Sequence, residues 1–373
     1  MLTPTWAVIT GGGTAGHVQP GLAVAAALVD RGHDARSIAF VGSRRGMESS
    51  LVPEAGFAIK LLPGRGIVRQ LSWSNVGAVA GLLVAGLRSV AWLNRMRPEV
   101  IVVVGGYAAV ACGLAGVALR IPVVVMEQNA VPGLANRLIG RWARVCAVSF
   151  PGTDLPRSAL TGNPVRPEVL AVDRESDGAA ARRALGVPPG RKFVAIFGGS
   201  LGARRINVAA SQAALLWAER SDLAVRHIVG RRDWDASMAD AHRNDHLAYV
   251  AVDYEARMDL VLAAADLVVC RAGATSVAEV ATVGVACVLV PLPGAPGDHQ
   301  TANAEALVAA GAAVMVTDTE LDGPSLAATV DDLVGDPARL ATMGNAARAC
   351  AHRNAAQRVA ELVETHARPR RNR

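Results

Sequence analysis

The chain has 373 residues, of which 51% are hydrophobic and 19% are charged, and this composition excludes a disordered protein. The length exceeds what one hydrophobic core usually supports, so we expect two domains. Charge is uneven, because residues 1–164 carry 15 Lys and Arg against 7 Asp and Glu. This excess predicts an anionic partner for the N-terminal half. The arginines are not interleaved with aromatic residues, so we expect no nucleic-acid partner.

The N-terminal half alternates short Val- and Ile-rich runs with helical lengths, which is typical of parallel strands buried on both faces. A helix is predicted over residues 18–31, where Gly32 ends it. The predicted strands of this half cover residues 7–10, 37–41, 99–104, 121–126 and 143–148.

The longest apolar stretch, residues 76–87, is too short to span a bilayer, which needs about 20 residues. It predicts either a buried helix or a helix whose apolar side rests on a membrane surface. Burial alone does not account for the arginines around it, so we favour the membrane surface. These are Arg65, Arg69, Arg88, Arg95 and Arg97.

Residues 162–167 contain two prolines and predict a hinge, since proline excludes a helix there. The strands predicted after it cover residues 192–197, 224–229, 247–250, 267–270, 286–291 and 313–316. The sequence therefore predicts an α/β fold with two Rossmann-like, doubly wound parallel-sheet domains that face a cleft. We assign residues 1–164 to the first domain and residues 165–349 to the second.

A glycine-rich turn follows the first predicted strand of each half, at residues 11–16 and at residues 198–203. Glycines there permit positive φ and let backbone N–H groups approach an anion closely. Two such turns suit an enzyme that joins two phosphate-bearing substrates. The first turn alone also fits an NADP-dependent oxidoreductase, because Arg44 and Arg45 follow the second strand, where they suit a 2′-phosphate.

His17 directly follows the last glycine of the first turn, at the start of the predicted helix. A helix N-terminus repels positive charge, so we expect His17 to stay neutral near pH 7. A neutral imidazole beside an anion site suits a general base or a group that orients a hydroxyl. The alternative is a histidine that only bonds a nearby carbonyl.

A third candidate site follows the strand at residues 267–270. A small-residue loop leads into a helix predicted to begin near Ser276, and Ser276 with Glu279 fits a capping box. The functional interpretation adds that this helix N-terminus holds a diphosphate while Glu279 accepts hydrogen bonds from ribose hydroxyls. Further on, Gln300 and Asn303 share a helix face, and amide side chains suit sugar hydroxyls.

Metal-ligand spacing is missing from the sequence. Asp233-Trp234-Asp235 matches the D-x-D motif of some sugar transferases, but no glycine loop accompanies it, and we interpret it as a surface turn. We therefore predict no cofactor and no protein-built metal site, and whether Mg²⁺ assists stays open. The five cysteines lie far apart and include no C-x-x-C pair, which is typical of reduced thiols in a cytosolic protein.

Seven segments, taken together and in order, resemble the bacterial undecaprenyldiphospho-muramoylpentapeptide β-N-acetylglucosaminyltransferases of peptidoglycan synthesis. The resemblance covers about residues 6 to 360. The segments are GGTAGHV at 12–18, GGY at 105–107, EQNAVPGLANR at 127–137, GNPVR at 162–166, GGSLGA at 198–203, RAGATSVAE at 271–279 and DHQTAN at 298–303. The chain departs from the family pattern at Met126, Ala109 and Glu255, the last at a position that is usually apolar and near the uracil.

The resemblance implies a GT-B fold whose last helix, about residues 350–366, crosses back to the first domain. It implies UDP-N-acetylglucosamine as the donor, lipid I as the acceptor, and an inverting attack by the muramoyl O4 that gives lipid II and UDP. The enzyme would be a hexosyltransferase bound peripherally to the cytoplasmic face of the cell membrane, with the anionic inner leaflet as a partner.

The resemblance also implies roles for individual residues. His17 would activate or orient the acceptor hydroxyl. The implied donor-binding residues are Thr14, Ala15, Gly16, Asn129, Arg166, Ser200, Ala274, Thr275, Ser276, Val277, Ala278, Glu279 and Gln300. The acceptor side would include Gly13, Gly105, Gly106 and Tyr107. A related glycosyltransferase with another lipid or natural-product acceptor, the oxidoreductase above and a non-catalytic UDP-sugar binder stay as alternatives.

Overall fold

A computed structural model describes residues 5–63, 74–199, 202–235 and 246–369. The chain divides into two compact units, one formed by residues 1–165 with 352–373 and the other by residues 166–351. Among the described residues, the first unit contains a seven-stranded sheet and the second a six-stranded sheet, and every strand pair is parallel. The predicted α/β fold of two doubly wound, Rossmann-like domains is confirmed.

The first unit winds its sheet in the order β3-β2-β1-β4-β5-β6-β7. Its strands are β1 Ala7–Gly11, β2 Ile38–Ser43, β3 Ala58–Leu62, β4 Val100–Gly105, β5 Val123–Glu127, β6 Val145–Val148 and β7 Ser158–Leu160. The helices of this unit before residue 165 are α1 Ala15–Asp30, α2 Glu48–Glu54, α3 Ser74–Met96, α4 Tyr107–Ala118 and α5 Leu134–Gly140.

The second unit winds its sheet in the order β10-β9-β8-β11-β12-β13. The helices are α6 Pro167–Leu170, α7 Arg174–Ala184, α8 Arg204–Leu216, α9 Met258–Ala264, α10 Ala274–Val283, α11 His299–Ala309, α12 Gly323–Val334 and α13 Pro337–Ala349. The strands are β8 Lys192–Phe197, β9 Leu223–Ile228, β10 Ala248–Val252, β11 Leu267–Arg271, β12 Ala286–Val290 and β13 Ala313–Met315.

Both faces of the first sheet are buried, which explains the continuous Val/Ile runs in the sequence. Ile9 and Val102 point into one hydrophobic cluster, while their neighbours Val8 and Ile101 point into another on the opposite face. Side chains alternate along a strand, so a run without polar residues is the sequence pattern of a strand covered on both sides. Helices cover both faces, and the functional segments are left to the strand ends.

The last helix, α14 Ala355–His366, belongs to the first unit and packs on α1. Its apolar residues Val359, Ala360 and Val363 are buried in the first of the two clusters above. On its exposed side, Glu364 accepts from Arg31 at 2.7 Å and lies 3.0 Å from the His33 imidazole. The helix therefore completes the core that the first 165 residues leave open.

Helix α3 contains the apolar stretch singled out in the sequence, and Arg65 and Arg69 lie outside the described residues. Ala85, Ser89 and Leu93 are buried at four-residue spacing, whereas Leu83 and Leu87 are 66% and 72% exposed. Burial thus accounts for one side of this helix only. No helix among the described residues is long and apolar enough to cross a membrane.

Candidate active site

Three candidate segments of the first unit meet at one edge of its sheet. Strands β1, β4 and β5 are neighbours and run parallel, so their carboxyl ends lie side by side. The glycine turn follows β1, the Gly-Gly-Tyr segment follows β4, and Glu127 ends β5. Ligands of open α/β sheets bind outside the carboxyl ends of the strands, so this edge is the expected place for a site.

The first glycine turn interlocks with the Gly-Gly-Tyr segment. The Gly12 N–H donates to the Gly105 carbonyl at 3.2 Å, and a Cβ on Gly106 would lie only 2.5 Å from the Gly12 carbonyl oxygen. Gly12, Gly105 and Gly106 all have positive φ, at 143°, 103° and 88°. A side chain at any of the three would be strained, and at Gly106 it would separate the two segments.

His17 lies in the first turn of α1 and is half-buried. Its N–H donates to the Thr14 carbonyl at 3.1 Å, and its Nδ1 lies 3.4 Å from the Thr14 hydroxyl. A Cβ on Gly105 would lie 3.0 Å from Nε2, so the imidazole rests on that glycine. Thr14 is the N-cap residue and Ala15 begins the helix, while Gly13 is exposed and Gly16 half-buried.

Sequence reasoning missed Glu48, which is buried beneath this turn. Its carboxylate accepts hydrogen bonds from the Gly13 N–H at 2.7 Å and from the Ser43 N–H at 2.7 Å. The close approach of the Glu48 carboxylate to Gly12 also counts against the dinucleotide interpretation. An anionic cofactor at Gly12 would meet a carboxylate already in contact with that glycine.

The segment after β5 is organised by a second buried carboxylate, Glu127. One oxygen accepts from the N–H and the side-chain amide of Asn129 at 3.0 and 3.2 Å, and the other accepts from the Gly133 N–H and from Asn136 at 3.0 and 2.8 Å. Asn129, a predicted donor ligand, is half-buried and held in place by these bonds. Nearby, the Tyr107 hydroxyl donates to the Pro63 carbonyl at 3.0 Å, and burial raises the pKa of this tyrosine.

In the second unit, the loop after β11 leads into α10. The helix begins at Ala274 with Gly273 as its N-cap, so the capping-box interpretation of Ser276 and Glu279 is wrong. The helix therefore starts three residues earlier than a capping box at Ser276 would place it. Ser276 thus lies within the first turn, where side chains and N–H groups face the helix N-terminus.

Around this helix start, Ala274 and Val277 are buried, while Thr275, Ser276 and Ala278 are half-buried. The Thr275 hydroxyl oxygen is buried and makes no hydrogen bond within the described part of the chain. A buried polar atom is normally satisfied, so this hydroxyl is a notable exception at an anion-favouring position.

Glu279 is buried one turn further along α10 and forms an ion pair with Arg166, the N-cap residue of α6. The Arg166 Nε donates to the Glu279 Oε1 at 2.8 Å. Burial raises the pKa of Glu279, and the positive charge of Arg166 opposes that rise. Two predicted donor ligands therefore lie in direct contact, although they are more than a hundred residues apart in the sequence.

Gln300 and Asn303 both lie on α11 but differ in burial. The Gln300 side-chain oxygen accepts from the Leu292 N–H at 2.9 Å and the residue is half-buried. Asn303 is fully buried and donates to the Ala272 carbonyl at 3.1 Å, so it ties α11 to the loop before α10. Asn303 thus contributes to architecture, whereas Gln300 borders solvent.

The second glycine turn follows β8, and Ser200 within it lies outside the described residues. The Asp233 carboxylate lies against Gly202 of this turn. Nearby in the sheet and α8, Asn207 and His227 are buried, with the His227 Nε2 3.0 Å from the Asn207 Oδ1. The other ring nitrogen lies 2.6 Å from the Tyr249 hydroxyl. Burial lowers the pKa of His227 to about 4, so the ring is neutral at physiological pH.

Two departures from the family pattern have clear surroundings. Met126 is buried within β5 and belongs to a hydrophobic cluster. Glu255 accepts from the Arg226 guanidinium at 2.6 Å, and its other oxygen accepts from the Arg257 N–H at 2.9 Å. No group of three or more His, Cys, Asp or Glu side chains within the described residues has the geometry of a metal site.

Two family models match most of the chain. The glycosyltransferase family 28 N-terminal domain matches residues 7–148, and the family 28 C-terminal domain matches residues 193–361. The chain belongs to glycosyltransferase family 28. This assignment confirms that the protein is of the glycosyltransferase type that the seven segments indicated.

Individual relatives of this family 28 protein agree. A UDP-N-acetylglucosamine–N-acetylmuramyl-(pentapeptide) pyrophosphoryl-undecaprenol N-acetylglucosamine transferase of a Nocardioides species is 42% identical over 95% of this chain and 96% of that protein. A protein of the same name from Acidothermus cellulolyticus is 42% identical over 98% of both. The crystal structure of Acinetobacter baumannii MurG shares 30% identity and a TM-score of 0.76, covering 97% of this chain and 100% of that one. The predicted GT-B fold is thereby confirmed.

Proposed function

We propose that this protein transfers N-acetylglucosamine from UDP-N-acetylglucosamine to lipid I, the undecaprenyl-diphosphate-linked muramoyl-pentapeptide, and releases UDP and lipid II. The observation that carries the proposal is the near-full-length identity of 42% to transferases named for this reaction. The seven family segments also occupy the strand ends and helix starts at which an α/β enzyme binds its ligands. Peptidoglycan synthesis is then the pathway that consumes the product.

We assign the donor to the second unit. The start of α10 offers N–H groups and the Thr275 hydroxyl to the diphosphate, and Glu279 with Arg166 lies one turn away for the ribose and a phosphate oxygen. Ser200 and Gln300 would contact a phosphate and a sugar hydroxyl. The resemblance also gives donor-binding roles to Asn129, Thr14, Ala15 and Gly16, all of which lie in the first unit.

Chemistry requires that the acceptor hydroxyl lose a proton as it attacks the anomeric carbon. We assign this proton to the His17 imidazole, which is half-buried and rests on Gly105. Gly13, Gly106 and Tyr107 would lie with Gly105 on the acceptor side. The new bond joins the hydroxyl oxygen to the anomeric carbon from the face opposite UDP. The bond to the β-phosphate oxygen breaks and its electron pair leaves with UDP, where helix N–H groups stabilise the charge.

The decisive experiment measures UDP release from UDP-N-acetylglucosamine with and without a lipid I analogue. UDP-N-acetylgalactosamine and UDP-glucose serve as competing donors. We expect acceptor-dependent release that is selective for UDP-N-acetylglucosamine. Donor binding without release would indicate another acceptor, and absence of donor binding would overturn the proposal.

The donor assignment is tested at Glu279. Glu279→Ala leaves Arg166 without its carboxylate and removes the ribose acceptor, so we expect the donor KM to rise by about tenfold or more. Glu279→Gln is the matched variant, because it keeps the size and one hydrogen-bond acceptor. A fall in the free energy of unfolding with an unchanged donor KM would show that Glu279 only supports the fold.

We further propose that α3 binds the protein peripherally to the cytoplasmic face of the cell membrane. Leu83, Val84 and Leu87 are exposed on one side of α3, and Arg88 and Arg95 are exposed beside them. This combination suits an interfacial helix on anionic lipid. Sedimentation with anionic vesicles should recruit the protein at low salt and release it at high salt. Equal recovery of Leu87→Ser and wild type would contradict the assignment.

A further inference from the structure

Glu48 is a buried carboxylate to which the reaction scheme above gives no role. It is 2% exposed, and its two oxygens divide their bonds between two loops. One oxygen accepts from the Gly13 N–H at 2.7 Å, and the other accepts from the Ser43 N–H at 2.7 Å and the Ser43 hydroxyl at 2.9 Å. The carboxylate therefore joins the turn after β1 to the turn after β2.

Three glycines enclose this side chain so closely that none has room for a Cβ. A Cβ on Gly12 would lie 2.2 Å from the Glu48 carboxyl carbon, one on Gly42 2.3 Å from its Cγ, and one on Gly46 less than a van der Waals contact from an oxygen. The space is therefore built around the carboxylate. Within the described residues no Lys, Arg or His lies within ion-pair distance of it.

Burying a carboxylate without a counter-ion is costly unless hydrogen bonds satisfy it. Charge-assisted bonds to backbone N–H groups are short and directional, and they fix the donors in place. A neutral apolar side chain would fill the same space without orienting the Gly13 peptide. The arrangement thus fixes the position of the Gly13 peptide rather than maximising the free energy of unfolding.

A short path leads from Glu48 to the imidazole through the Gly13 hydrogen bond and the backbone of the turn. Gly13 precedes Thr14, whose carbonyl accepts the His17 N–H at 3.1 Å and the Val18 N–H at 3.2 Å. The Thr14 hydroxyl lies 3.4 Å from the His17 Nδ1. Rotation of the Gly13 peptide would turn Thr14, and Thr14 contacts His17 at both backbone and side chain.

We propose that Glu48 is a positioning residue for the transfer reaction: by holding the Gly13 peptide it sets the orientation of Thr14 and of the His17 imidazole toward the acceptor hydroxyl. This inference rests on the proposed function of His17. The Glu48 carboxylate then binds the turn after β1 of its own chain and not a substrate.

The test is a double-mutant cycle of Glu48→Gln with His17→Ala, read as kcat, donor KM and acceptor KM. The amide of Glu48→Gln presents an NH₂ group to one of the two loops that donate to Glu48, so one loop loses its acceptor. A small misplacement of a catalytic group can lower a rate by up to about 100-fold, so we expect kcat to fall by about 10- to 100-fold with an unchanged donor KM. In the His17→Ala background, Glu48→Gln should lower kcat by less than about twofold, because the two act in series.

Ser43→Ala is the matched control, since it removes one bond to the carboxylate and leaves the Gly13 bond intact. It should retain kcat within about twofold of wild type. If Glu48→Gln does not fold at the assay temperature, Glu48→Asp replaces it in the cycle, because it keeps the charge but shortens the reach by one methylene.

Independent, additive losses in the cycle would overturn the inference, as would equal increases in donor KM and losses in kcat. The proposed function fails in a different way. If wild type shows no acceptor-dependent UDP release, the reaction assignment falls before the Glu48 cycle is read. If His17→Ala leaves kcat unchanged, the role of His17 falls, although the reaction assignment stands.

Discussion

The two glycine-rich turns share a sequence pattern and a place in the fold, but their backbone N–H groups have different acceptors. Beneath the first turn lies the Glu48 carboxylate, which takes up the Gly13 N–H. Against Gly202 of the second lie the Val229 carbonyl oxygen and the Asp233 carboxylate, and the buried Asn207 amide donates to that carbonyl at 3.0 Å. No described N–H of the second turn donates to a carboxylate.

From this difference we propose different tasks for the two turns. The Gly13 N–H is already taken up by Glu48, so we propose that this part of the first turn holds His17 in place and does not bind a phosphate. In the second turn no described N–H is taken up by a carboxylate, so we expect this turn to bind a diphosphate. A glycine motif thus predicts a tight backbone turn. The acceptors that already bind its N–H groups then determine whether those groups can bind a ligand.

The largest expected effect separates two adjacent glycines of the first turn. Gly12→Ala would place a Cβ 2.2 Å from the Glu48 carboxyl carbon at a φ of 143°, so we expect the free energy of unfolding to fall by about 3–5 kcal/mol. Gly13→Ala, at a φ of 97° with no atom within 4 Å of its Cβ, should cost only about 1 kcal/mol. Urea unfolding of both variants measures the difference. Equal losses in the free energy of unfolding would show that the close approach of Glu48 to Gly12 does not affect stability.

An intermediate effect depends on pH and concerns the buried His227, whose ring contacts Asn207 of α8. Burial lowers the folded-state pKa of His227 from 6.5 to about 4, so the unfolded chain binds this proton more tightly between those values. The stabilisation is complete above pH 6.5 and is lost as pH falls toward 4, by roughly 3 kcal/mol. His227→Gln should lose correspondingly less stability between pH 7 and pH 4 in urea titrations.

The control for that measurement is His246→Gln, because His246 is exposed in the same unit. It should follow the wild-type pH dependence. Parallel curves for wild type and His227→Gln would show that His227 does not contribute to the pH dependence of the free energy of unfolding.

The smallest stability effect gives the sharpest functional contrast. Gly13 and Gly199 are matched, with φ values of 97° and 98° and no atom within 4 Å of an added Cβ. Replacement by alanine should cost each unit only about 1 kcal/mol. We expect Gly199→Ala to raise the Kd of UDP-N-acetylglucosamine several-fold and Gly13→Ala to leave it unchanged. Equal Kd values, measured by calorimetry, would refute the division of tasks between the turns.

Much of the fold follows from local sequence patterns. The predicted strand over residues 192–197 coincides with β8, because an unbroken apolar run between polar residues marks a strand buried on both faces. Strands β3 and β7 were not predicted. They lie at the sheet edges, where half of each strand faces solvent and the apolar run is interrupted, as at Lys60.

The candidate site is less accessible to such patterns. Glycine turns and helix starts are visible locally, and the sheet order then brings them together. Glu48 escapes because its partners are the N–H groups of glycine and serine in two loops, and no residue-type pattern records which backbone donor a carboxylate meets. The Arg166–Glu279 pair is equally hidden, since the contact depends on how α6 lies on α10. The roles of the individual site residues stay predictions.

The path of the chain has a consequence for biosynthesis. Residues 166–351 are in effect an insertion within a unit that begins before them and ends after them. A ribosome therefore delivers the whole inserted unit before it delivers α14, whose Val359, Ala360 and Val363 fill the first core. Because domains fold as units during synthesis, the half that carries His17 starts first and finishes last. Until α14 has been translated, the face of α1 on which α14 packs stays uncovered.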